Sequence, residues 1–174
     1  MYSKASIKGH PIHPMLVAFP ITLYLVTFIA FAVYYYTSAD IFWFKLGYFS
    51  NMAAVGLAVL AAIPGFIDWA LGIPNKTEAK TDGLIHMSLN LITLALFAVN
   101  ASMISGTWNE PPVNLGVTLI LTGIGSLTLL GAGFYGWKMI GVHKVGVLMS
   151  AEQEEIQERY ERKRPHEEPP VIFH

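Results

Sequence analysis

Residues Met15–Tyr36 read MLVAFPITLYLVTFIAFAVYYY, 22 consecutive positions without a formal charge. A helix rises about 1.5 Å per residue, so a run of this length crosses the ~30 Å hydrocarbon core of a bilayer. Three more predominantly apolar stretches follow, at about residues 42–70, 84–103 and 113–140. None alternates with period two, and in lipid only helices or closed barrels satisfy the backbone, so helices are expected. Polar breaks separate them: Thr37-Ser38-Ala39-Asp40, Gly72 to Lys76, and Asn109-Glu110-Pro111-Pro112. The expected fold is all-α, an integral membrane four-helix up-down-up-down bundle. Lys4 and Lys8 before the first run resemble the start of a signal peptide, but the apolar run is longer than a signal core and reads as a retained helix.

Composition agrees with lipid as solvent. Of 174 residues, 53% are hydrophobic and 13% charged, and the mean hydropathy is +0.47. A net charge of −1 and the absence of a basic cluster exclude nucleic acid as a partner. With no cysteine, disulfides, covalently attached c-type haem and a conventional iron–sulfur cluster are excluded, so any redox centre here needs histidine ligands. Nucleophile triads, phosphate loops and paired catalytic carboxylates are absent, which points to a redox or accessory subunit rather than a stand-alone enzyme.

The flanks set the orientation. Lys4, Lys8, Lys76, Lys80, Lys138 and Lys144 fall on the side of the N-terminus, and only Lys45 on the other. This bias places both termini in the cytoplasm. Trp43, Trp69, Trp108 and Trp137 lie near helix ends, as in an interfacial aromatic belt. Residues 1–148 form the membrane domain and 149–174 a charged cytoplasmic tail. Ser150 and Gln153 fit a capping box that opens a short tail helix, stopped by Pro165. No internal repeat stands out.

Histidine is the informative residue. His10 and His13 precede the first helix, His86 opens the third, and His143 follows the fourth, so the alternating topology puts all four near one membrane face with Asp68. His166 and His174 lie in the solvated tail. Histidine serves haem iron, zinc, copper and non-haem iron, and an acid such as Asp68 orients a ligand through its second ring nitrogen. Asp68 has a plain alternative in pairing with Lys76 or Lys80, or in capping a helix. His86, Asn90, Thr93, Phe97 and Asn100 recur at steps of four and three and share one helical face. That face either bonds to neighbouring helices or lines a cofactor, quinone or proton path. Thr22, Thr27 and Asn51 are candidate partners on the first two helices. Pro20 and Pro64 are expected to bend their helices.

The stretch Gly9-His10-Pro11-Ile12-His13-Pro14-Met15-Leu16-Val17, with Phe19-Pro20-Ile21, resembles the opening of a bacterial membrane family known as domain of unknown function 2231. Asp68-Trp69, Ile73-Pro74, Gly83-Leu84-Ile85-His86 with Asn90, and His143 with Val145-Gly146-Val147 resemble its later signatures. The resemblance covers about residues 9–148. It implies four helices and singles out His10, His13, His86, Asn90 and His143. Some relatives are joined to Rieske-type iron–sulfur domains, which implies electron transfer by association. The chain departs where many relatives carry histidine at the position of Ala18 and glycine at that of Lys144.

The reading that follows is an electron-transfer subunit of the bacterial inner membrane, a respiratory complex subunit in which two of His13, His86 and His143 ligate haem b. His10 and Asn90 are further cofactor contacts, and Asp68 sits behind the ligands. Its partners are the bilayer, other membrane or redox subunits, and a quinone. The alternatives are a cofactor-free accessory or assembly subunit and a protein binding a bare metal ion.

Overall fold

The computed structural model describes residues 3–37, 40–112, 115–147, 150–153, 155, 156 and 159. A two-residue ribbon of β1 (Ser6–Ile7) and β2 (His10–Pro11) leads into α1 (Ile12–Thr37), α2 (Ile41–Ile67), α3 (Glu78–Met103) and α4 (Gly116–Gly141). All four helices are long and apolar enough to cross a membrane. Packed together, they form the expected all-α membrane bundle.

Local chemistry sets the boundaries. Asp40 caps α2, its carboxylate accepting the Phe42 N–H at 2.8 Å. Thr77 caps α3 by accepting from the Lys80 N–H at 3.2 Å, and Glu78 in the first turn suits the positive helix end. The third helix therefore begins six residues before the apolar run at 84, because its first turns are built from polar residues that a hydrophobicity reading passes over. Pro64 removes one rung of the α2 ladder, and the chain passes directly into a π-helical turn at Asp68–Gly72. In the N-terminal ribbon Lys8 and Gly9 both take positive φ, 50° and 82°, as a two-residue type I′ turn requires.

Within lipid there is little hydrophobic drive between helices, so close packing must hold them. The glycines provide it. A Cβ on Gly47 would come within 2.7 Å of the Phe31 ring, and one on Gly125 within 2.6 Å of Phe97. These contacts zip α1 against α2 and α3 against α4 as two antiparallel hairpins, and α1 also meets α4 while α2 meets α3. Large apolar side chains such as Phe19, Ile29, Leu60, Ile63, Ile120 and Leu127 face outward, whereas Thr27, Asn51, Thr93, Asn100 and Thr122 are buried. This is the inversion expected of a protein whose solvent is lipid.

The two hairpins are quasi-equivalent, although the sequence shows no evident repeat. Advancing α1 residues by 73 positions carries His13 onto His86, Leu16 onto Leu89, Leu23 onto Leu96, Tyr24 onto Phe97 and Thr27 onto Asn100. Advancing α2 residues by 71 carries Asn51 onto Thr122, Ala54 onto Gly125, Ala61 onto Ala132 and Gly65 onto Gly136. Since both hairpins run in the same direction, the relating axis lies along the membrane normal. Tyr24 and Phe97 meet across it with ring centroids 4.1 Å apart.

The tail begins with the expected cap. The Ser150 N–H donates to Gln153 Oε1 at 2.9 Å and the Gln153 N–H to Ser150 Oγ at 3.2 Å. Glu155 and Arg159 pair one turn apart at 2.9 Å. Pro165, His166 and His174 lie outside the described residues.

Candidate functional site

Two imidazoles meet at the quasi-twofold axis. His13, in the first turn of α1, and His86, two turns into α3, have ring centroids 6.3 Å apart with planes at 89°. Each is held in the same way by the partner helix of its own hairpin. His13 Nδ1 lies 2.9 Å from the Ala61 carbonyl oxygen and His86 Nδ1 2.8 Å from that of Ala132. A helical carbonyl is already bonded to the N–H four residues on, and here that residue is Gly65 or Gly136. A Cβ at Gly65 would sit 2.7 Å from His13 Nδ1, and one at Gly136 3.0 Å from the His86 ring. Glycine thus opens the helix surface so that the imidazole reaches a carbonyl one turn away.

A backbone carbonyl only accepts, so Nδ1 of each ring carries the proton and Nε2 of the neutral ring keeps its lone pair. The Asn90 side-chain nitrogen, 3.2 Å from His86 Nε2, donates to that lone pair. Asn90 is fixed one turn along by its bond to the His86 carbonyl at 2.9 Å. Pinned by Nδ1–H to a carbonyl, an imidazole presents Nε2 in the state that ligates a metal, and for His86 that requires Asn90 to release the lone pair it now bonds. Further along the same α3 face, Thr93 and Thr128 join their hydroxyls at 2.8 Å.

His143 belongs to a separate cluster nearer the membrane face. Its Nε2 donates to Asp82 Oδ2 at 2.7 Å, and Lys138 Nζ reaches the same oxygen at 2.9 Å. This group fastens the end of α4 to the start of α3. Asp82 escaped the sequence reading because it precedes the apolar run, yet it lies one turn before His86 on the same helical face, and that spacing was the available signal. Lys138 shares its carboxylate with His143, a partner that charge counting cannot supply.

The remaining candidates are dispersed. His10 is exposed, with Nδ1 3.1 Å from the Lys8 carbonyl. Asp68 bonds to neither Lys76 nor Lys80 among the described contacts. It accepts from Ser3 Oγ at 2.9 Å and from the N–H groups of Lys4 and Ala5 at 2.7 and 2.8 Å, tying the N-terminal ribbon to the end of α2. Lys80 satisfies carbonyls of the π-helical turn, donating to Trp69, Ala70 and Ile73 while its ammonium lies 4.2 Å from the centre of the Trp69 ring. Thr22 and Thr27 bond back to their own helix, to Ala18 and Leu23. Ala18 is exposed, and Lys144 has φ 53°, a left-handed conformation that favours glycine. Among the described residues, no group of three or more His, Asp or Glu comes together as a metal cage. The structure therefore brings together His13, His86 and Asn90, and keeps His10, His143 and Asp68 apart from them.

A family model described as a predicted membrane protein, DUF2231, matches residues 9–149. No curated protein and no solved structure matches.

Proposed function

The chain belongs to the DUF2231 family of predicted membrane proteins, and from that premise we propose that it is an electron-transfer subunit of a bacterial inner membrane, binding haem b between His13 and His86. The observation that carries this reading is the pair itself, two imidazoles 6.3 Å apart on diagonal helices, each with Nδ1 bonded to a backbone carbonyl. Two nitrogens that each hold one ion from opposite sides at about 2.0 Å have ring centroids about 6 Å apart. Two histidines fill both axial positions of haem iron, which favours electron transfer over oxygen chemistry. Ala61, Gly65, Ala132 and Gly136 keep the flanking helix faces small beside the pair. His143, engaged by Asp82, serves the scaffold in this reading, and electrons pass to other redox subunits or a quinone.

The test is a visible spectrum of the protein produced with haem available, oxidised and then reduced with dithionite, with a pyridine haemochrome assay. Reduced b-type bands that disappear in His13→Ala and His86→Ala but persist in His143→Ala are the expected result. A colourless protein overturns the haem reading. If elemental analysis then finds a metal lost with the same two histidines, the pair binds a bare ion instead, and a metal-free protein leaves an assembly subunit.

A further inference from the structure

Deeper in the bundle lies a polar layer that electron transfer does not use. Thr27, Asn51, Asn100 and Thr122 are each 0% exposed, and each comes from a different helix. Hairpin register sets them at one level. In the first hairpin Tyr24 packs with Ala54 and Phe31 lies on Gly47. Thr27, one turn from both rings, therefore faces Asn51, one turn from both small residues. In the second, Phe97 lies on Gly125, and the same three-residue step sets Asn100 against Thr122. The quasi-twofold exchanges Thr27 with Asn100 and Asn51 with Thr122.

The hydrogen bonds of this layer are incomplete. Thr27 and Thr122 donate within their own helices, to the carbonyls of Leu23 and Thr118 at 2.7 Å each, which leaves their lone pairs free. Both polar atoms of the Asn51 carboxamide, both of the Asn100 carboxamide, and the Tyr24 hydroxyl have no partner among the described residues. In hydrocarbon an unpartnered polar group is strongly unfavourable, and buried polar groups in native proteins are almost always paired. Two such carboxamides buried between apolar helices call for a guest.

The chemistry of the groups selects it. No charged residue occurs in segments 9–39, 46–67, 83–109 or 111–137, so the layer is neutral. A bare cation would satisfy the oxygens and strand both amide nitrogens; an anion would do the reverse. Water donates and accepts, and fits every unpartnered atom. We propose that the Asn51–Asn100 layer is a binding site for internal water, a small cluster bridging the two carboxamides inside the bundle. The layer is closed on the side away from the histidines by the buried side chains of Phe31, Phe44, Ile104 and Leu115. On the histidine side the next turn brings the buried side chains of Tyr24, Ala54, Phe97 and Leu129, before the polar groups of Thr93 and Thr128. The layer is therefore enclosed between two apolar clusters.

The site stands independently of haem and is tested without it. The labelled full chain in lipid bilayers is measured by solid-state NMR with polarisation transferred from water protons. The Asn51 and Asn100 side-chain amide signals receive that polarisation while the neighbouring Ile104 methyl groups do not. In the Asn51→Leu/Asn100→Leu double variant the transfer to the Thr27 and Thr122 methyl groups is lost with the rest of the spectrum in place. Should that variant not fold, the wild-type measurement decides alone. Dry carboxamides coupled directly to each other overturn the proposal, as do Asn51 and Asn100 signals that shift when sodium replaces potassium.

Discussion

A Cβ on Gly65 would lie 2.7 Å from Nδ1 of His13. The glycine and the imidazole therefore occupy one another's space, and the bond from His13 to the Ala61 carbonyl exists only because residue 65 has no side chain. Gly65→Ala must displace the ring or part α1 from α2, at a cost of about 1–3 kcal/mol typical of overpacking. Gly133, also in a helix, has nothing within 4 Å of its notional Cβ. There the change to alanine is neutral or stabilising by up to about 1 kcal/mol, the ordinary helix preference. Thermal unfolding in detergent compares the two, and equal losses at both positions would show that the ring contact does not matter.

Lys144 takes φ 53° in the turn after α4. A side chain in the left-handed region costs about 1–2 kcal/mol, part of which glycine returns as greater freedom of the unfolded chain. Lys144→Gly is expected to stabilise the protein by about 0.5–1 kcal/mol, and Lys144→Val to destabilise it. The same unfolding measurement reads both, and a stabilising valine refutes the argument.

Asp82 is the shared acceptor of Lys138 and His143, with its side chain 10% exposed. Asp82→Asn leaves a partly buried ammonium without its counter-charge, so it should cost more than His143→Ala, which keeps the Lys138 pair. The expected outcome is the ranking, Asp82→Asn costlier than His143→Ala, with solvent around the Lys138 ammonium keeping both losses modest. Urea or detergent unfolding of both variants tests the ranking, and a costlier His143→Ala reverses the assignment of the central group.

What could be read beforehand follows the length scale of the signal. Apolar runs such as Met15–Tyr36 are long enough to declare a helix whatever their neighbours do, and the polar stripe His86, Asn90, Thr93, Phe97 and Asn100 is buried or half-buried as its spacing implies. Pairing across helices leaves no such trace. That His13 and His86 meet while His143 turns to Asp82 depends on how two hairpins face each other. The quasi-repeat was hidden because lipid-facing positions need only be apolar, so similarity survives at a few inward positions such as Ala61 and Ala132. The role of Asp68 was equally invisible, since its donors are backbone groups at residues 4 and 5 and a serine at 3, none of which carries a recognisable pattern.

Orientation in the membrane is open to a direct experiment because the chain has no cysteine, so any introduced thiol is unique. Glu110, in the loop after α3, and Lys144, after α4, are both exposed and lie at opposite ends of the bundle. Lysines gather at the end that holds Lys144, and such flanks are retained on the cytoplasmic side. A membrane-impermeable maleimide added to intact cells should label Glu110→Cys and leave Lys144→Cys unreacted until the membrane is opened. The reverse pattern would put the histidine pair near the outer face, and its electron donors and acceptors with it.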